Sequence, residues 1–318
     1  MRIVFLDSFT TDQGDTAWPG LRSLGDLTVF PRTTPDLVVE RCVDADAVLT
    51  NKVLLPAAVL AVLPRLRYIG LTSTGVNVVD LAAARARGIA VTNVPAYSTE
   101  SVAELVFAMI LHFAFRPADH DRAVKSGHWS RSPDFCFFLT PLRELAGKTL
   151  VVVGQGAIGR AVSRIGTAFG MKVVPAAVPG STTRDRVPLA QALPLADVVT
   201  LHCPLTPATQ GLVGRAFLEA LAPGAILINT SRGPVVDQTA LLETLAKGKL
   251  GGVGLDVLER EPPLPDDPLL APDAPWADRL LVTPHLGWGT MEARRRLAEE
   301  VTRNLAAFLA GRRRNRVD

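Results

Sequence analysis

The chain has 318 residues, of which 48% are hydrophobic and 20% charged, so it is long enough to bury two moderate cores, and we expect two domains. Its formal charge of +3 is small for this length, and part of the arginine lies in the closing GRRRNR stretch, where a solvated terminus is expected. Composition and charge therefore argue against a nucleic-acid-binding protein.

Cysteine content and the N-terminal pattern indicate in which cellular compartment the protein is expected. Cys42, Cys136 and Cys203 are too few and too scattered for a disulfide framework or a CxxC metal site, so we expect no metal and a reducing, cytoplasmic location. The N-terminal MRIVFLD has the pattern of a strand rather than of a signal peptide. Glu104 and His112 interrupt the apolar run before residue 115, so no membrane segment is expected.

The first third of the chain alternates apolar, strand-like runs with helical segments rich in alanine and leucine, which is typical of an α/β domain. Gly88 closes the helical segment VVDLAAARARG in the position of a C-cap. Because the connections are short, we expect one compact parallel sheet. Its strands are predicted at 1–7, 27–31, 45–51, 66–75 and 88–95.

A long helical pattern over 101–127, with a kink near Pro117, is expected to bridge the two halves. After a polar and aromatic connector, a second α/β cycle begins at Thr149. The last helix, over 290–309, is expected to return to the first domain, so the predicted domains are 1–98 with 290–318, and 99–289. The further strands of the second cycle are predicted at 171–174, 196–204, 225–233, 251–257 and 280–287.

The segment TLVVVGQGAIGRAVSRIGTAFG, residues 149–170, predicts a strand, a glycine-rich turn and an amphipathic helix. Gly154 allows the turn, Gly156 lets the backbone approach a pyrophosphate, and Gly159 lets the helix pack on the strand. The helix N-terminus then faces an anion. A glycine turn without a ligand is the alternative, but the clear strand before it and the clear helix after it favour a dinucleotide site.

Polar side chains follow three strands of this second cycle, at the sheet edge where open parallel sheets bind ligands. Arg232 has the guanidinium that holds the carboxylate of a 2-oxo acid bidentately and polarises its carbonyl. His285 has an imidazole suited to exchanging a proton with that carbonyl, and Glu261 a carboxylate to fix its tautomer. Taken singly, they are more often a surface arginine, a solvated carboxylate and a turn-capping histidine. Together, after a dinucleotide fold, they predict 2-oxo acid reduction.

Five motifs occur in order along the chain: GQGAIG, LHCPLTPATQGL, INTSRGPVVD, GLDVLEREPP and VTPHLGWGT. In this order and spacing they resemble the D-isomer-specific 2-hydroxyacid dehydrogenase family over nearly the whole chain. NVPAYST, the WSRSPDF connector and the tryptophan after the histidine motif resemble its glycerate dehydrogenase (hydroxypyruvate reductase) branch. The resemblance implies an α/β fold of two doubly wound parallel-sheet domains, a Rossmann dinucleotide-binding domain and a smaller flavodoxin-like substrate domain.

The resemblance also assigns catalytic roles. Arg232 is expected to bind the substrate carboxylate, His285 to act as the acid/base, and Glu261 rather than Glu259 to be its partner. In the first domain, backbone N–H groups after the fourth strand are expected to bind the substrate carboxylate. The predicted substrate-binding residues are Thr74, Gly75, Val76, Arg232, His285 and Trp288.

Cofactor contacts are expected from the glycine turn and from the loops that follow the other strands of the second domain. Asp256 is expected near the nicotinamide carboxamide. Trp288, three residues after the histidine, either walls the substrate pocket or packs in a core. The predicted cofactor-binding residues are Gly154, Gly156, Ala157, Ile158, Gly159, Ala177, Cys203, Pro204, Thr209, Thr230, Ser231, Asp256 and Gly287.

One departure from the family pattern bears on the choice of cofactor. NAD-dependent members end the second strand of the nucleotide unit with an acid for the ribose hydroxyls, where this chain has Ala177. Without the acid, both the attraction for NAD and the repulsion of a 2′-phosphate are lost. The following loop carries hydroxyl and guanidinium groups, which either bind that phosphate or are simply solvated. We expect NADP or NAD, with NADP favoured; the loop residues are Ser181, Thr182, Thr183, Arg184 and Arg186.

The predicted function is hydride transfer between a nicotinamide cofactor and a small D-2-hydroxy or 2-oxo acid, with hydroxypyruvate and glyoxylate as the expected substrates. A phosphite-type dehydrogenase and a nucleotide-sensing protein of the corepressor type are the alternatives. A formate dehydrogenase is disfavoured, because those enzymes carry glutamine where this chain has Glu261. The resemblance also implies a homodimer built through the nucleotide domains. The helix over 101–115 is apolar on more than one face, which fits either that interface or burial within the monomer.

Overall fold

The computed structural model describes residues 1–14, 18–181 and 185–318, and the chain divides into two units. The first comprises Met1–Ser98 with Trp288–Asp318, and the second is Thr99–Gly287. The chain therefore returns to the first unit at Trp288, close to the predicted boundary at 290. Each unit has its own parallel sheet, so the predicted α/β class is confirmed.

The first unit alternates short strands and short helices around a five-stranded parallel sheet. Its strands run in the order β2-β1-β3-β4-β5, which is the flavodoxin-like order, with the reversal between β1 and β3. The elements are β1 (Arg2–Phe5), α1 (Pro19–Arg22), β2 (Asp26–Val29), α2 (Val38–Cys42), β3 (Ala47–Thr50), α3 (Ala57–Ala61), β4 (Tyr68–Leu71), α4 (Leu81–Ala86) and β5 (Ala90–Thr92).

The second unit is built on a six-stranded parallel sheet with the order β11-β10-β9-β8-β6-β7. Before the sheet come α5 (Thr99–Phe115) and α6 (Pro117–Lys125). The sheet and its helices are β6 (Thr149–Val153), α7 (Ala157–Ala168), β7 (Lys172–Ala176), α8 (Leu189–Ala192), β8 (Val198–Leu201), α9 (Arg215–Ala220), β9 (Ile226–Asn229), α10 (Gln238–Ala246), β10 (Gly252–Leu255) and β11 (Leu280–Val282).

An isolated parallel bridge between Ala176 and Val187 extends this sheet beyond β7. Counted as a remnant third strand, it restores the order 3-2-1-4-5-6 of dinucleotide-binding sheets, with β11 added at the far edge. The reversal of strand order then lies between β6 and β8. The glycine turn leaves β6 at this point, where such sheets bind their ligands.

The strands are almost continuously apolar because both faces of each sheet are covered. Along β6, Val151 and Val153 belong to the core on one face, whereas Leu150 and Val152 belong to the core on the other. This alternation follows from the two-residue period of a strand. Several predicted strands extend past the observed ends; the one predicted to reach residue 287 ends at Val282, because the backbone then enters a turn.

The helical pattern over 101–127 forms two helices that meet at 53°. Arg116 joins them with a left-handed φ of 49°, directly before Pro117, so the predicted kink is confirmed. Helix α5 packs Val106 and Ile110 into the core of its own unit. Burial within the monomer is the explanation that these contacts support, and the interface explanation of this helix stays a prediction. No single helix in the described ranges is long and apolar enough to cross a membrane; the bent pair α5 and α6 passes that test by length and composition only.

The last helix, α11 (Met291–Leu309), belongs to the first unit, as predicted. Thr290 caps it, since its hydroxyl accepts the N–H of Ala293 at 3.3 Å. The ring of Phe308 lies 5.0 Å from that of Tyr68 on β4. One stripe of residues spaced four apart enters the core of this unit, as the helical period requires; the stripe is Ala293, Leu297, Val301 and Leu305.

Candidate active site

The predicted catalytic residues follow three neighbouring strands of the second unit. Because β9, β10 and β11 are adjacent and parallel, their carboxyl ends lie along one edge of the sheet. Arg232 follows β9, Glu261 follows β10, and His285 follows β11. A guanidinium, a carboxylate and an imidazole therefore follow strands that end at the same edge of the sheet.

His285 and Glu261 form a direct pair. Nδ1 of His285 lies 2.6 Å from Oε2 of Glu261. An ionised carboxylate only accepts hydrogen bonds, so Nδ1 donates and Nε2 is left for a substrate oxygen. Oε1 of Glu261 accepts the N–H of Leu258 at 3.1 Å, which fixes the carboxylate from its other side. The two side chains are 28% and 33% exposed, so the pair is open to a small molecule.

Asp256 fixes the turn that carries His285. It is 3% exposed and accepts the hydroxyl of Thr283 at 2.6 Å and the N–H groups of Leu286 and Gly287 at 2.8 and 2.9 Å. His285 has a left-handed φ of 53°, a conformation that costs energy for a non-glycine residue and persists only when its surroundings hold it. Asp256, predicted beside the nicotinamide, thus has a positioning role that the sequence analysis missed.

Asn229 shapes the turn of Arg232 in a similar way. This fully buried residue accepts the N–H and the hydroxyl of Ser231 at 3.0 and 2.8 Å, and its Nδ2 donates to the carbonyl of Arg232 at 2.9 Å. Arg232 itself is exposed, and its Nη1 donates to the Ser231 carbonyl at 2.7 Å. No carboxylate in the described part of the chain pairs with it, so its other donors are available to an anion.

Gly233 brings the arginine turn against the loop that carries Glu261. A Cβ at this position would lie 1.9 Å from the backbone carbonyl of Leu258 and 2.4 Å from the nitrogen of Glu259. Only glycine allows so close a backbone approach. The turn of Arg232 and the loop of Glu261 therefore pack backbone against backbone.

These groups suit the reduction of a 2-oxo acid. The guanidinium binds the carboxylate and polarises the carbonyl, while the imidazole gives a proton to the carbonyl oxygen and takes it back in oxidation. Glu261 accepts the hydrogen bond from Nδ1 and so fixes the tautomer and the orientation of the ring. A nicotinamide supplies the hydride; the residues of this chain bind the acid, orient it and move the proton.

The glycine turn leaves room for a ligand at one of its three glycines. Gly154 has a φ of 101°, and a Cβ there would lie 2.7 Å from the backbone of His202. A Cβ at Gly159 would lie 1.9 Å from the Gly154 carbonyl oxygen. A Cβ at Gly156 would meet nothing within 4 Å. Protein packing thus requires the first and third glycines, whereas the second borders open space at the N-terminus of α7, where a pyrophosphate fits.

A cavity of about 650 Å³ opens beside this turn. His202 lines it, and the Nε2 atom of this half-buried residue is shielded from solvent with no hydrogen-bond partner in the described ranges. Burial lowers the pKa of His202 to about 3, so the ring is neutral at physiological pH. An unpartnered nitrogen and an open helix N-terminus fit a dinucleotide, which brings both polar and anionic groups. Other lining residues are Gln155, Gly156, Gly180, Arg186 and Pro204.

The other predicted cofactor contacts differ in whether their polar groups already form hydrogen bonds within the protein. The hydroxyl of Thr209 donates to the Pro204 carbonyl at 2.6 Å and accepts the N–H of Thr206 at 2.8 Å, so it shapes the loop that lines the cavity. Oγ1 of Thr230 is shielded and has no partner in the part of the chain that the structure describes. Three more predicted contacts surround the glycine turn: Ala157 and Ile158 begin α7, and Cys203 is buried near Gly154.

Gly287 and Ser231 already hold partners inside the second unit. The N–H of Gly287 donates to Asp256, and its carbonyl accepts the hydroxyl of Ser101 at 2.5 Å. The N–H and hydroxyl of Ser231 both donate to Asn229. These two residues hold the turns of the site, and their cofactor contacts stay predictions.

Ala177 directly follows β7, the second strand of the nucleotide unit. Its N–H donates to the carbonyl of Val187 at 2.8 Å, and the N–H of Val187 donates to the carbonyl of Pro175 at 2.9 Å. These bonds close the base of the loop between them. Ser181 and Arg186 of this loop line the cavity. Thr182, Thr183 and Arg184 lie outside the described residues.

In the first unit, the predicted anion-binding N–H groups follow β4. Those of Thr74, Gly75 and Val76 have no acceptor among the residues that the structure describes. Other groups fix this loop: the hydroxyl of Thr74 donates to the Val94 carbonyl at 2.9 Å, and that of Ser73 donates to the Gly75 carbonyl at 2.8 Å. Three consecutive free N–H groups suit a carboxylate.

Trp288 packs against the core of the first unit. The residue is partly buried beside a cluster that includes Tyr97, Ala293 and Leu297. Of the two roles considered for it, core packing is the one these contacts support, and its role as a wall of the substrate pocket stays a prediction.

Comparison with known proteins identifies the family. Residues 107–287 match the model of the D-isomer specific 2-hydroxyacid dehydrogenase, NAD binding domain. A hydroxypyruvate reductase from Blautia hydrogenotrophica is 38% identical and aligns with 98% of this chain and 98% of its own. The chain belongs to the D-isomer-specific 2-hydroxyacid dehydrogenase family. A glycerate dehydrogenase from Methylorubrum extorquens is 40% identical over 90% of this chain and 89% of its own.

Solved structures agree with this membership. An acyclic imino acid reductase in complex with NADPH and D-arginine superposes with a TM-score of 0.86, at 26% identity, over the whole of both chains. The protein is thus an oxidoreductase of the CH–OH group, with a Rossmann domain for a nicotinamide cofactor and a small hydroxy or oxo acid as substrate. The family, the fold class and the enzyme class predicted from the sequence are confirmed.

Proposed function

We propose that this 2-hydroxyacid dehydrogenase reduces hydroxypyruvate and glyoxylate. The observation that carries the proposal is the 2.6 Å pair of His285 and Glu261 on the sheet edge to which Arg232 also belongs. This set recognises a carboxylate next to a carbonyl and supplies one proton. The names of the two relatives, hydroxypyruvate reductase and glycerate dehydrogenase, support hydroxypyruvate as the acid.

The test is a substrate panel with the purified protein. Hydroxypyruvate, glyoxylate, pyruvate and a branched 2-oxo acid are compared with NADH and NADPH, and phosphite is offered with both oxidised cofactors. We expect the highest kcat/KM for hydroxypyruvate or glyoxylate. In the His285→Ala variant, loss of the proton donor should lower kcat by about two to four orders of magnitude while cofactor binding survives. A preference for phosphite or for the branched acid would contradict the proposal.

We also propose that NADP is the preferred cofactor. Ala177 offers no carboxylate to bind the ribose hydroxyls or to repel a 2′-phosphate. Arg186 lines the cavity and has no carboxylate partner in the described ranges. A guanidinium is well suited to bind a phosphate. The NADPH complex of the imino acid reductase supports the use of this cofactor within the fold.

Substitution of Ala177 tests the cofactor proposal. Ala177→Asp should move the ratio of kcat/KM for NADPH to that for NADH at least about tenfold toward NADH, because a carboxylate repels the phosphate. Ala177→Asn, similar in size but uncharged, is the control and should change the ratio much less. A strong preference of the unsubstituted protein for NADH would show that another group does the work of the missing acid.

We propose, finally, that the protein is a homodimer. On the connector between α6 and β6, Phe135 and Phe138 are 89% and 69% exposed, and Leu139 and Leu142 are exposed beside them in sequence. A group of large exposed apolar side chains on one segment is typical of an interface. Light scattering at micromolar concentration should give twice the 34.0 kDa chain mass, and Phe135→Ser with Phe138→Ser should shift the protein toward monomer. A monomeric unsubstituted protein would contradict the proposal.

A further inference from the structure

The first unit contains a cavity of about 570 Å³ that none of the predicted catalytic, cofactor or substrate residues lines. Its walls come from the segments that follow β1, β2 and β3, three adjacent strands. The strand order reverses between β1 and β3, and open α/β sheets bind ligands outside the carboxyl ends of their strands at such a reversal. The volume lies within the range of small-molecule sites, roughly 300–1,000 Å³.

The walls of this cavity are mostly apolar. Phe9 and Leu54 are 47% and 64% exposed, although both are large apolar side chains. Val38, Val53 and Val59 also line it, together with three prolines. A single exposed apolar residue needs no explanation, but several around one concave site mark a place for an apolar ligand body.

Two cationic side chains also line this cavity. The guanidinium carbon of Arg32 lies 3.5 Å from the centroid of the Phe9 ring, so the group stacks on the ring and keeps its edge donors for a ligand. The backbone of Arg32 is held by Arg41, whose Nη1 donates to the Arg32 carbonyl at 2.7 Å. Lys52 is the second cation. Neither Arg32 nor Lys52 forms an ion pair with a residue that the structure describes.

Asp7 also lines this cavity, and its carboxylate already accepts three backbone hydrogen bonds. Its Oδ1 accepts the N–H of Asn51 at 2.8 Å, and its Oδ2 accepts those of Lys52 and Val53 at 2.6 and 3.2 Å. Burial raises the pKa of Asp7, against the effect of these bonds. The carboxylate thus holds the loop after β3 in place, and neither side-chain cation forms an ion pair with it.

We infer that this cavity binds a small amphipathic carboxylate, whose apolar body packs against Phe9 and Leu54 and whose carboxylate is held by Arg32 and Lys52. A guanidinium and an ammonium are the natural partners of a carboxylate. A neutral ligand would fill the apolar walls but leave the cations unpaired, and a cationic ligand would meet two like charges. The site lies beyond the reduction proposed above and requires no turnover.

Direct binding to the full-length protein tests this inference. The probe is 4-phenylbutyrate, compared with 4-phenylbutanol and 4-phenylbutylamine by isothermal titration calorimetry. The carboxylate should bind about tenfold more tightly than the alcohol, because hydrogen bonds to charged groups are the stronger ones, and the amine should bind weakest. Phe9→Ala should weaken the carboxylate and the alcohol alike.

The charged residues are tested by neutral substitutions. Arg32→Gln combined with Lys52→Gln should lower the affinity for the carboxylate probe to that for the alcohol. Each single substitution should lower this affinity by a smaller amount. Arg85→Gln, an exposed arginine of α4 that lies away from the cavity, should leave binding unchanged. Equal affinities for the three probes, or a double variant that binds the carboxylate as before, would overturn the inference. So would displacement of the probe by millimolar hydroxypyruvate, which would assign the cavity to the reacting acid.

Discussion

Gly233→Ala should disable catalysis although it alters no group that touches the substrate. The new Cβ would lie 1.9 Å from the Leu258 carbonyl, where ordinary contact begins at 3.4 Å, so backbone must move by about 1.5 Å. The obstacle is backbone on both sides, and no flexible side chain can yield. Either the turn of Arg232 or the loop of Glu261 is therefore displaced. Because a misplacement of about 1 Å costs on the order of 100-fold in rate, we expect kcat/KM for 2-oxo acid reduction to fall at least that far.

The assay pairs kinetics with stability. Overpacking of this kind costs about 1–3 kcal/mol, so a fall in Tm of several degrees should accompany the loss of activity. Gly214→Ala, whose new Cβ would meet only the Gly211 carbonyl at 3.3 Å, is the matched control and should keep both activity and Tm close to the original values. A Gly233→Ala variant with unchanged kcat/KM would refute the claim that this backbone contact sets the geometry of the site.

Four further outcomes follow from the structure. Glu261→Gln replaces the carboxylate that accepts from Nδ1 of His285 at 2.6 Å by an amide, which no longer fixes the tautomer of the ring, so kcat for reduction should fall in steady-state assays. Arg232→Lys should be severely impaired in steady-state assays, because an ammonium lacks the bidentate fork. Gly156→Ala should keep its Tm, since its Cβ meets nothing within 4 Å, but should raise the KM for the cofactor. The folded-state pKa of His202, about 3, lies below its ordinary 6.5, so the unfolded chain binds more protons and stability is lost as pH falls below about 6.5; urea unfolding should show a smaller loss in His202→Gln.

Each of these outcomes has a clear contradiction. An unchanged kcat in Glu261→Gln would remove Glu261 from the mechanism, and near-normal efficiency of Arg232→Lys with hydroxypyruvate would show that Arg232 does not bind the substrate bidentately. A lowered Tm in Gly156→Ala would mean that the protein's own packing needs this glycine. Equal pH dependence of the unfolding free energy in the original protein and in His202→Gln would show that the ring is not held neutral by burial.

Much of the fold could be predicted from the sequence, because buried parallel strands are continuous apolar runs and alternate visibly with helices. The run VVV of β6 is apolar on both faces for this reason. Strand ends were harder to predict. The apolar pattern of LLVTPHLG continues to residue 287, but the strand stops at Val282, since pattern alone does not show where ladder pairing ends. The role of helix α5 stayed open for a related reason: the sequence shows that its faces are apolar but not what covers them.

The reacting groups of the site were also predictable, because guanidinium, carboxylate and imidazole side chains at strand ends have few substitutes in such chemistry. The groups that hold them were not. Asp256 is predicted from the sequence near the nicotinamide, and Asn229 is not singled out at all, yet the side chains of both form hydrogen bonds to the protein's own turns. Which way a buried polar side chain bonds depends on backbone placed by distant segments, and local sequence carries no record of it.

Asn229 and Asp256 also connect the three turns to one another. The N–H of Asp256 donates to the Asn229 carbonyl at 2.9 Å, where β9 and β10 end side by side. Asn229 then holds the turn of Arg232, and Asp256 holds the turn of His285. Gly233 adds a backbone contact to the loop whose glutamate meets that histidine. Each functional side chain lies on a different turn, so its substitution alters one role. A substitution at Asn229, Asp256 or Gly233 instead changes the position of one turn relative to another, and with it the geometry that relates carboxylate binding to proton transfer. Preorganised catalysis depends on that relation, so the residues that never touch the substrate are as constrained as those that do.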